Sequence, residues 1–187
     1  MRVIDEPLPG VKLIAPTVHE DHRGFFMESY NQGVFADLGI ADLFVQDNHS
    51  RSTRGVLRGL HYQLGQPQAK LVRATRGSVY DVVVDIRRGS PTFGQWAGAE
   101  LSEDNRRQFY APVGFAHAFL VLSDVAEFQY KCSDFYSADD EHGLPWNDPD
   151  IAIVWPLAGL EPILSDRDRR WAPLASIADS NLPEFEK

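Results

Sequence analysis

The rhythm of the chain is its strongest constraint: short β-prone runs are cut by Gly, Pro, Asn and Asp at spacings of about 8–12 residues. The runs are Val11–Ala15, Phe25–Tyr30, Leu43–Gln46, Lys70–Thr75, Ser78–Ile86, Gly94–Leu101, Gln108–Ala111, Phe115–Leu122 and Glu127–Ser133. Strands this short, this frequent and this regularly interrupted close into a sandwich or barrel. Helical signal is confined to the edges. Asn31–Leu38 reads as two turns, with Asn31 as N-cap and Gly39 just past the end. Ser165–Arg170 and Leu174–Asp179 read as short helices near the C-terminus, the first capped by Ser165. The expectation is an all-β sandwich or barrel with short flanking helices. It forms one domain over 1–187, with 165–187 as a helical or irregular extension.

Composition narrows the functional classes. With 27 Asp+Glu against 18 Lys+Arg, the net charge of -9 argues against a nucleic-acid surface, which needs basic stripes. By the same reasoning it discourages any phosphate-bearing ligand, unless positive charge is concentrated locally. No apolar run approaches the ~20 residues of a membrane span. The opening MRVIDEPLPG meets acid and proline before any apolar stretch, so no secretory signal is visible. The single Cys132 fits a reduced, cytoplasmic protein and reads as a packing residue.

Two segments carry chemistry. Gly55-Val56-Leu57-Arg58-Gly59-Leu60-His61 and Pro112-Val113-Gly114-Phe115-Ala116-His117 resemble the paired motifs of cupin barrels. The first should continue as His-x-His with a following Glu, but Gln63 stands at the second His, and Gln66 and Pro67 stand near the Glu position. Two of four customary ligands are too few for a divalent metal, and an amide is a poor substitute for imidazole. No metal is expected. His61 and His117 on barrel-facing strands, with Arg58, Gln63 and Lys70 beside them, point to a polar pocket inside the barrel.

Longer blocks carry a closer resemblance: Asp21-His22-Arg23-Gly24-Phe25-Phe26-Met27-Glu28-Ser29-Tyr30-Asn31, Phe44–Ser50, Val56–Gln63, Ser90–Trp96, Gly114–His117, Glu127–Lys131, Trp146–Pro149 and Leu164–Asp168. In this order, from about residue 10 to about 170, they resemble the dTDP-4-dehydrorhamnose 3,5-epimerase family. The resemblance implies a cupin-like jelly roll that forms a homodimer with strands shared between subunits. It implies no metal and no organic cofactor. The implied reaction is epimerisation of dTDP-4-dehydro-6-deoxyglucose at C3 and C5, on the way to dTDP-L-rhamnose.

Epimerising carbons on either side of a ketone requires a base on one face, an acid on the other, and a donor for the enolate oxygen. His61 is the natural base. By resemblance Asp168 is the carboxylate behind it, Tyr130 the proton donor, and Lys70 the group at the enolate oxygen. His117 assists there or holds a sugar or phosphate oxygen. Arg23 and Arg58 resemble the diphosphate-gripping arginines, whose planar forks suit phosphate. Glu28, Gln46 and Asn48 match nucleotide-contacting positions, and Tyr136 the aromatic that stacks on thymine. Glu141 and Arg167 fill two further ligand-contact positions, Arg167 standing where the family usually has Lys. Without the resemblance each reads more plainly. Asp168 is then a solvated residue in a charged run, Tyr130 an inward strand tyrosine with its hydroxyl bonded, and Lys70 a snorkelling surface lysine. Gln129, beside Tyr130, stands where an aliphatic residue is commoner.

Two other readings stay open. One is a single-site epimerase, acting at C3 or C5 only on a related dTDP-4-keto-sugar. The other is a non-catalytic carbohydrate-binding jelly roll, which would not need opposed acid and base.

Overall fold

A computed structural model describes residues 1–185. The strands are β1 (Arg2–Leu8), β2 (Val11–Ala15), β3 (His19–Asp21), β4 (Gly24–Phe26), β5 (Gln46–Thr53), β6 (Leu57–Gln63) and β7 (Lys70–Arg76). They continue with β8 (Ser78–Asp85), β9 (Trp96–Ser102), β10 (Gln108–Ala111), β11 (Phe115–Val121), β12 (Val125–Cys132) and β13 (Glu141–Gly143). The one α-helix among the described residues, α1 (Gln32–Asp37), lies between β4 and β5. A six-stranded sheet runs β1-β2-β10-β7-β12-β5, and a five-stranded sheet runs β13-β6-β11-β8-β9. β3 and β4 form a separate hairpin. The paired strands are antiparallel throughout, giving the all-β class expected from the rhythm of the chain and the jelly roll that the resemblance implied.

The two sheets enclose a core built by strand alternation. Val72, Ala74, Phe109, Ala126 and Phe128 of one sheet meet Val79, Val83, Leu101, Phe115 and Phe119 of the other. A second cluster covers the outside of the five-stranded sheet, where Leu60, Val82, Val84, Ala118 and Leu120 pack under Ile151, Trp155, Leu174 and Leu182 of the C-terminal segment. With apolar cover on both faces, every residue of β11 is buried and its sequence reads as a run rather than an alternation. A third cluster seats Phe35 of α1 and Ile40 against Ile14, Leu71 and Tyr110 on the outside of the six-stranded sheet.

Helix α1 forms as read, with Asn31 Oδ1 accepting from Gly33 N and Val34 N, and with Gly39 at φ +79° beyond the end. Other expectations need correction. Phe25–Tyr30 shrinks to Gly24–Phe26. The strand expected at Leu43–Gln46 instead begins at Gln46 and runs to Thr53, through the Asp47-Asn48 pair read as a turn. Ser165–Arg170 is a chain of turns rather than a helix. Ser165 Oγ does accept from Asp168 N at 3.1 Å, but Pro173 follows too soon for a helix to propagate. Leu174–Asp179 resolves into separate 3-10 turns at Leu174–Ser176 and Asp179–Asn181. The last two residues of the extension read over 165–187 lie outside the described residues.

Candidate active site

Inward-facing side chains of β5, β6, β7, β11, β12 and β13 leave a cavity of about 550 Å³ between the sheets, closed at one side by residues 163–168. A local irregularity sets its floor. His61 pairs with His117, yet Arg58 pairs with Phe119, so β6 spends three residues where β11 spends two. That bulge puts both Arg58 and His61 on the cavity side, which a regular strand forbids for residues three apart. Gly59 sits at the bulge with φ +109°, and a Cβ there would lie 2.4 Å from the His117 carbonyl oxygen. Only glycine fits.

His61 is held from both sides. Its Nε2 lies 2.6 Å from Asp168 Oδ1, and its Nδ1 lies 3.4 Å from Glu141 Oε1. Asp168 is in turn fixed through its backbone N–H to Ser165 Oγ and by a 3.4 Å bond from Trp171 Nε1. Burial alone would push the Asp168 carboxyl up. The hydrogen bond and charge of His61, with Ser165 and Trp171, outweigh it and hold the group below the ordinary carboxylate range. Asp168 is thus no solvated helix residue: its side chain is 4% exposed.

Tyr130 enters from the opposite sheet, on β12, and packs against the central core. Burial pushes its phenol up to about 12, partly countered by the Arg58 charge, so the hydroxyl keeps its proton at neutral pH. Lys70, on β7, also lines the cavity. Burial lowers its ammonium, while nearby Cys132, Glu141 and Asp81 pull it back up. His117 Nε2 lies 3.0 and 2.9 Å from the two oxygens of Asp81, a fully buried carboxylate on the neighbouring β8. Burial pushes Asp81 up more than the His117 and Lys70 charges pull it down.

The rim is made of amides and one ionic cluster. Gln46 Nε2 donates to Asn48 Oδ1 at 3.1 Å and Gln46 Oε1 accepts from Tyr136 N at 2.9 Å. Asn48 Nδ2 donates to Cys132 Sγ at 3.6 Å. Arg58 Nε donates to Ser52 Oγ at 3.2 Å. Tyr136 Oη donates to Glu141 Oε2 at 2.8 Å, and Arg167 Nη1 reaches both that carboxylate and the Tyr136 oxygen. Gln63, at the customary metal-ligand position, spends its amide on the loop that carries Tyr136. It donates to the carbonyls of Gln66 and Phe135 and accepts from Ser137 N. Among the described residues no group of three His, Cys, Asp or Glu side chains is placed to hold a metal ion.

Most of the sequence-derived set therefore converges: His61, Lys70, Tyr130 and Asp168, with Gln46, Asn48, Arg58, His117, Tyr136, Glu141 and Arg167, share this one cavity. Arg23 and Glu28 do not. Arg23 sits at the exposed tip of the β3–β4 hairpin, paired with Asp21, and Glu28 accepts from Asn31 Nδ2. Sequence reasoning missed Asp81, although its signal was present as an acid in the middle of the β-branched run Ser78–Ile86. It read Cys132 as packing, and the thiol is indeed buried, but it also lines the cavity. Gln129 faces outward, where its Oε1 accepts from Arg73.

A family model described as dTDP-4-dehydrorhamnose 3,5-epimerase matches residues 5–176. The dTDP-4-dehydrorhamnose 3,5-epimerase of Pseudomonas aeruginosa is 58% identical over 164 residues, 87% of this chain and 90% of that protein. Among solved structures, dTDP-6-deoxy-D-glucose-3,5-epimerase from Legionella pneumophila, in complex with dTDP-4-keto-L-rhamnose, is 49% identical with a TM-score of 0.96. It covers 100% of this chain and 99% of its own. A 3'-monoepimerase from Streptomyces bikiniensis in complex with dTDP-quinovose is 37% identical, with a TM-score of 0.88 over 98% of this chain and 93% of its own. On these matches the chain belongs to the dTDP-4-dehydrorhamnose 3,5-epimerase family.

Proposed function

We propose that the cavity epimerises dTDP-4-dehydro-6-deoxyglucose at C3 and C5, giving dTDP-4-dehydro-L-rhamnose for dTDP-L-rhamnose synthesis. The observation that carries this is the placement of base and acid on opposite walls. His61, backed by Asp168, stands on the five-stranded sheet, and Tyr130 on the six-stranded one. A sugar ring between them meets a base on one face and a protonated phenol on the other. His61 Nδ1 takes the proton from the carbon beside the ketone, and the electron pair delocalises onto the C4 oxygen as an enolate. Lys70 and the His117 ring supply positive charge and a donor towards that oxygen. Tyr130 returns a proton to the opposite face. Once His61 has released its proton to solvent and Tyr130 has regained one, the same exchange at the second carbon completes the inversion.

In this reading Tyr136, Gln46 and Asn48 take the nucleotide, and Arg58 and Arg167 the diphosphate end. Arg23 and Glu28 belong to a homodimer's second site. The β3–β4 hairpin that carries Arg23 exposes Phe25 and Phe26 by 56% and 70%, a surface suited to cover by another copy. No helix among the described residues is long and apolar enough to cross a membrane. A cytoplasmic location belongs to this reading and is supported by the one cysteine, Cys132, which is free and buried.

The test is solvent-deuterium incorporation into dTDP-4-dehydro-6-deoxyglucose, read after trapping by reduction. Label at both C3 and C5 is expected. Label at C3 alone would replace this reading with that of the structurally similar 3'-monoepimerase, and no label at all would favour a binding module.

A further inference from the structure

Between the end of β12 at Cys132 and the 3-10 turn Ala138–Asp140, the chain that carries Tyr136 forms neither strand nor helix. Tyr136 is 49% exposed, so packing alone does not fix its ring. Three glutamine side chains hold the backbone of this segment instead. Gln68 Nε2 donates to the Asp134 carbonyl at 2.9 Å, and Gln46 Oε1 accepts from Tyr136 N at 2.9 Å. Gln63 takes the residues on either side of Tyr136. Its Nε2 donates to the Phe135 carbonyl at 3.1 Å, and its Oε1 accepts from Ser137 N at 2.9 Å. Nε2 also donates to the Gln66 carbonyl at 2.7 Å.

Gln63 is 7% exposed, so the loss of any of these bonds would not be made good by bulk water. Its partners also specify its chemistry. Two carbonyls need donors and one N–H needs an acceptor, and among side chains of this length only an uncharged amide offers both. The position customary for a metal-ligating His is here a bracket for a loop. Asp140 ties the facing segment from the other side: Oδ1 accepts from Leu64 N and Gly65 N at 3.3 and 2.9 Å, and Oδ2 from Gln66 N at 2.7 Å. Gln63 pairs with Glu141 of β13, the carboxylate that accepts from Tyr136 Oη at 2.8 Å. Tyr136 is thereby held through the backbone on both sides and through its hydroxyl.

We propose that Gln63 is a positioning residue that keeps Tyr136 pre-formed as the platform for the nucleotide base, a role that rests on the nucleotide reading above and deepens it. A stacking aromatic on a loose loop has to be ordered at binding, and that ordering is subtracted from affinity. With the loop bracketed beforehand, the ordering is complete when the chain folds. All three bonds of the Gln63 amide go to loop backbone and none to His61, Tyr130 or Lys70. Its effect therefore falls on binding of the dTDP end, although it stands on the same strand as His61.

The experiment is calorimetric binding of dTDP to the whole protein, with steady-state epimerisation beside it. Gln63→Met keeps the side-chain length and adds no charge near His61. It should weaken dTDP about tenfold, the scale of one or two net hydrogen bonds, and raise KM in step while kcat moves less than about threefold. Tyr136→Ala should weaken dTDP about tenfold or more through lost stacking. The double variant should bind within about twofold of Tyr136→Ala alone, because without the ring there is nothing left to position. Asp140→Ala loosens the same pair of segments without altering β6, and should weaken dTDP about threefold; it decides the matter if Gln63→Met fails to fold. Wild-type dTDP affinity in Gln63→Met would overturn the bracket, as would losses that multiply in the double variant or a fall in kcat at constant KM. If Tyr136→Ala itself binds dTDP like the wild type, the nucleotide reading of Tyr136 falls; if Tyr136→Ala is impaired and Gln63→Met is not, only the bracket does.

Discussion

His61 meets Asp168 at 2.6 Å across 107 residues of sequence, whereas His117 meets Asp81 at 2.9 Å from the adjacent strand, 36 residues away. Both pairs look into one cavity, and their surroundings set them apart. His61 is 21% exposed at its side chain and has its second ring nitrogen beside Glu141. His117 is 8% exposed, engages both oxygens of an Asp81 that is 0% exposed, and stacks on Phe128. Asp168 is held below the usual carboxylate range by its partners, while burial pushes Asp81 above it. In the proposed reading, one pair leaves a ring nitrogen to exchange protons. The other is locked against a buried carboxylate within the barrel. Composition makes them look alike, and placement separates their roles.

The largest expected effect tests that division through catalysis. His61→Ala should reduce deuterium exchange at both carbons by about 10³- to 10⁴-fold, as loss of a positioned base does. His117→Ala should cost about 10²-fold, the scale of removing one oxyanion donor. Tyr130→Phe belongs with His61, since its buried phenol is the proposed acid on the other wall. Single-turnover exchange on the same substrate measures all three. If His117→Ala proved the more damaging, the roles assigned to the two pairs would be reversed.

Stability should rank the pairs the other way. Asp81→Ala leaves His117 buried without its acceptor and opens a void in a strand packed on both faces. A loss of about 2–3 kcal/mol is expected in urea unfolding. Asp168→Ala removes an acid from the cavity rim and should cost about 1 kcal/mol while abolishing most activity. Equal losses would mean that both pairs are structural.

The pH dependence should differ in sign. Asp168 has a depressed carboxyl in the fold, so its contribution is present above the unfolded carboxylate value near 3.9 and is lost as pH falls through the folded value. Asp81 has a raised carboxyl, so its contribution is present below that unfolded value and is lost as pH rises through the folded one. Subtracting the stability curves of Asp168→Asn and Asp81→Asn from that of the wild type, from pH 3 upward, should give differences that slope in opposite directions. Two parallel slopes would erase the electrostatic contrast.

How far each pair could be read in advance follows from the same placement. The barrel was legible because most strands alternate against a core or are apolar throughout, and the two motif histidines fall on those strands. β5 escaped because its inner residues Gln46, Asn48 and Ser50 line a polar cavity while its outer residues face solvent. Hydrophobic periodicity has nothing to register there. Asp168 was assigned only through family resemblance, because a partner 107 residues away leaves no spacing signal. Asp81 needed no resemblance: an acid in the middle of Ser78–Ile86 has to be satisfied inside, and His117 on the paired strand is what satisfies it. Arg23 stands exposed at a hairpin tip outside the cavity, paired with Asp21, so nothing around it in a single chain bears on the role the resemblance implied.

The smallest expected effect concerns the rim that touches only one of the two pairs. Arg167 reaches Glu141 and Tyr136, and through Glu141 it borders His61, with no counterpart beside His117. Arg167→Lys keeps the charge and loses the planar fork, so a phosphate or carboxylate is still attracted but gripped by a point charge. At a half-exposed position that difference is small, and KM for the dTDP-sugar should rise about two- to threefold with kcat unchanged. Steady-state kinetics separates the two constants. A fall in kcat at constant KM would place Arg167 in the proton-transfer step, tying the rim to the His61 pair through chemistry as well as binding.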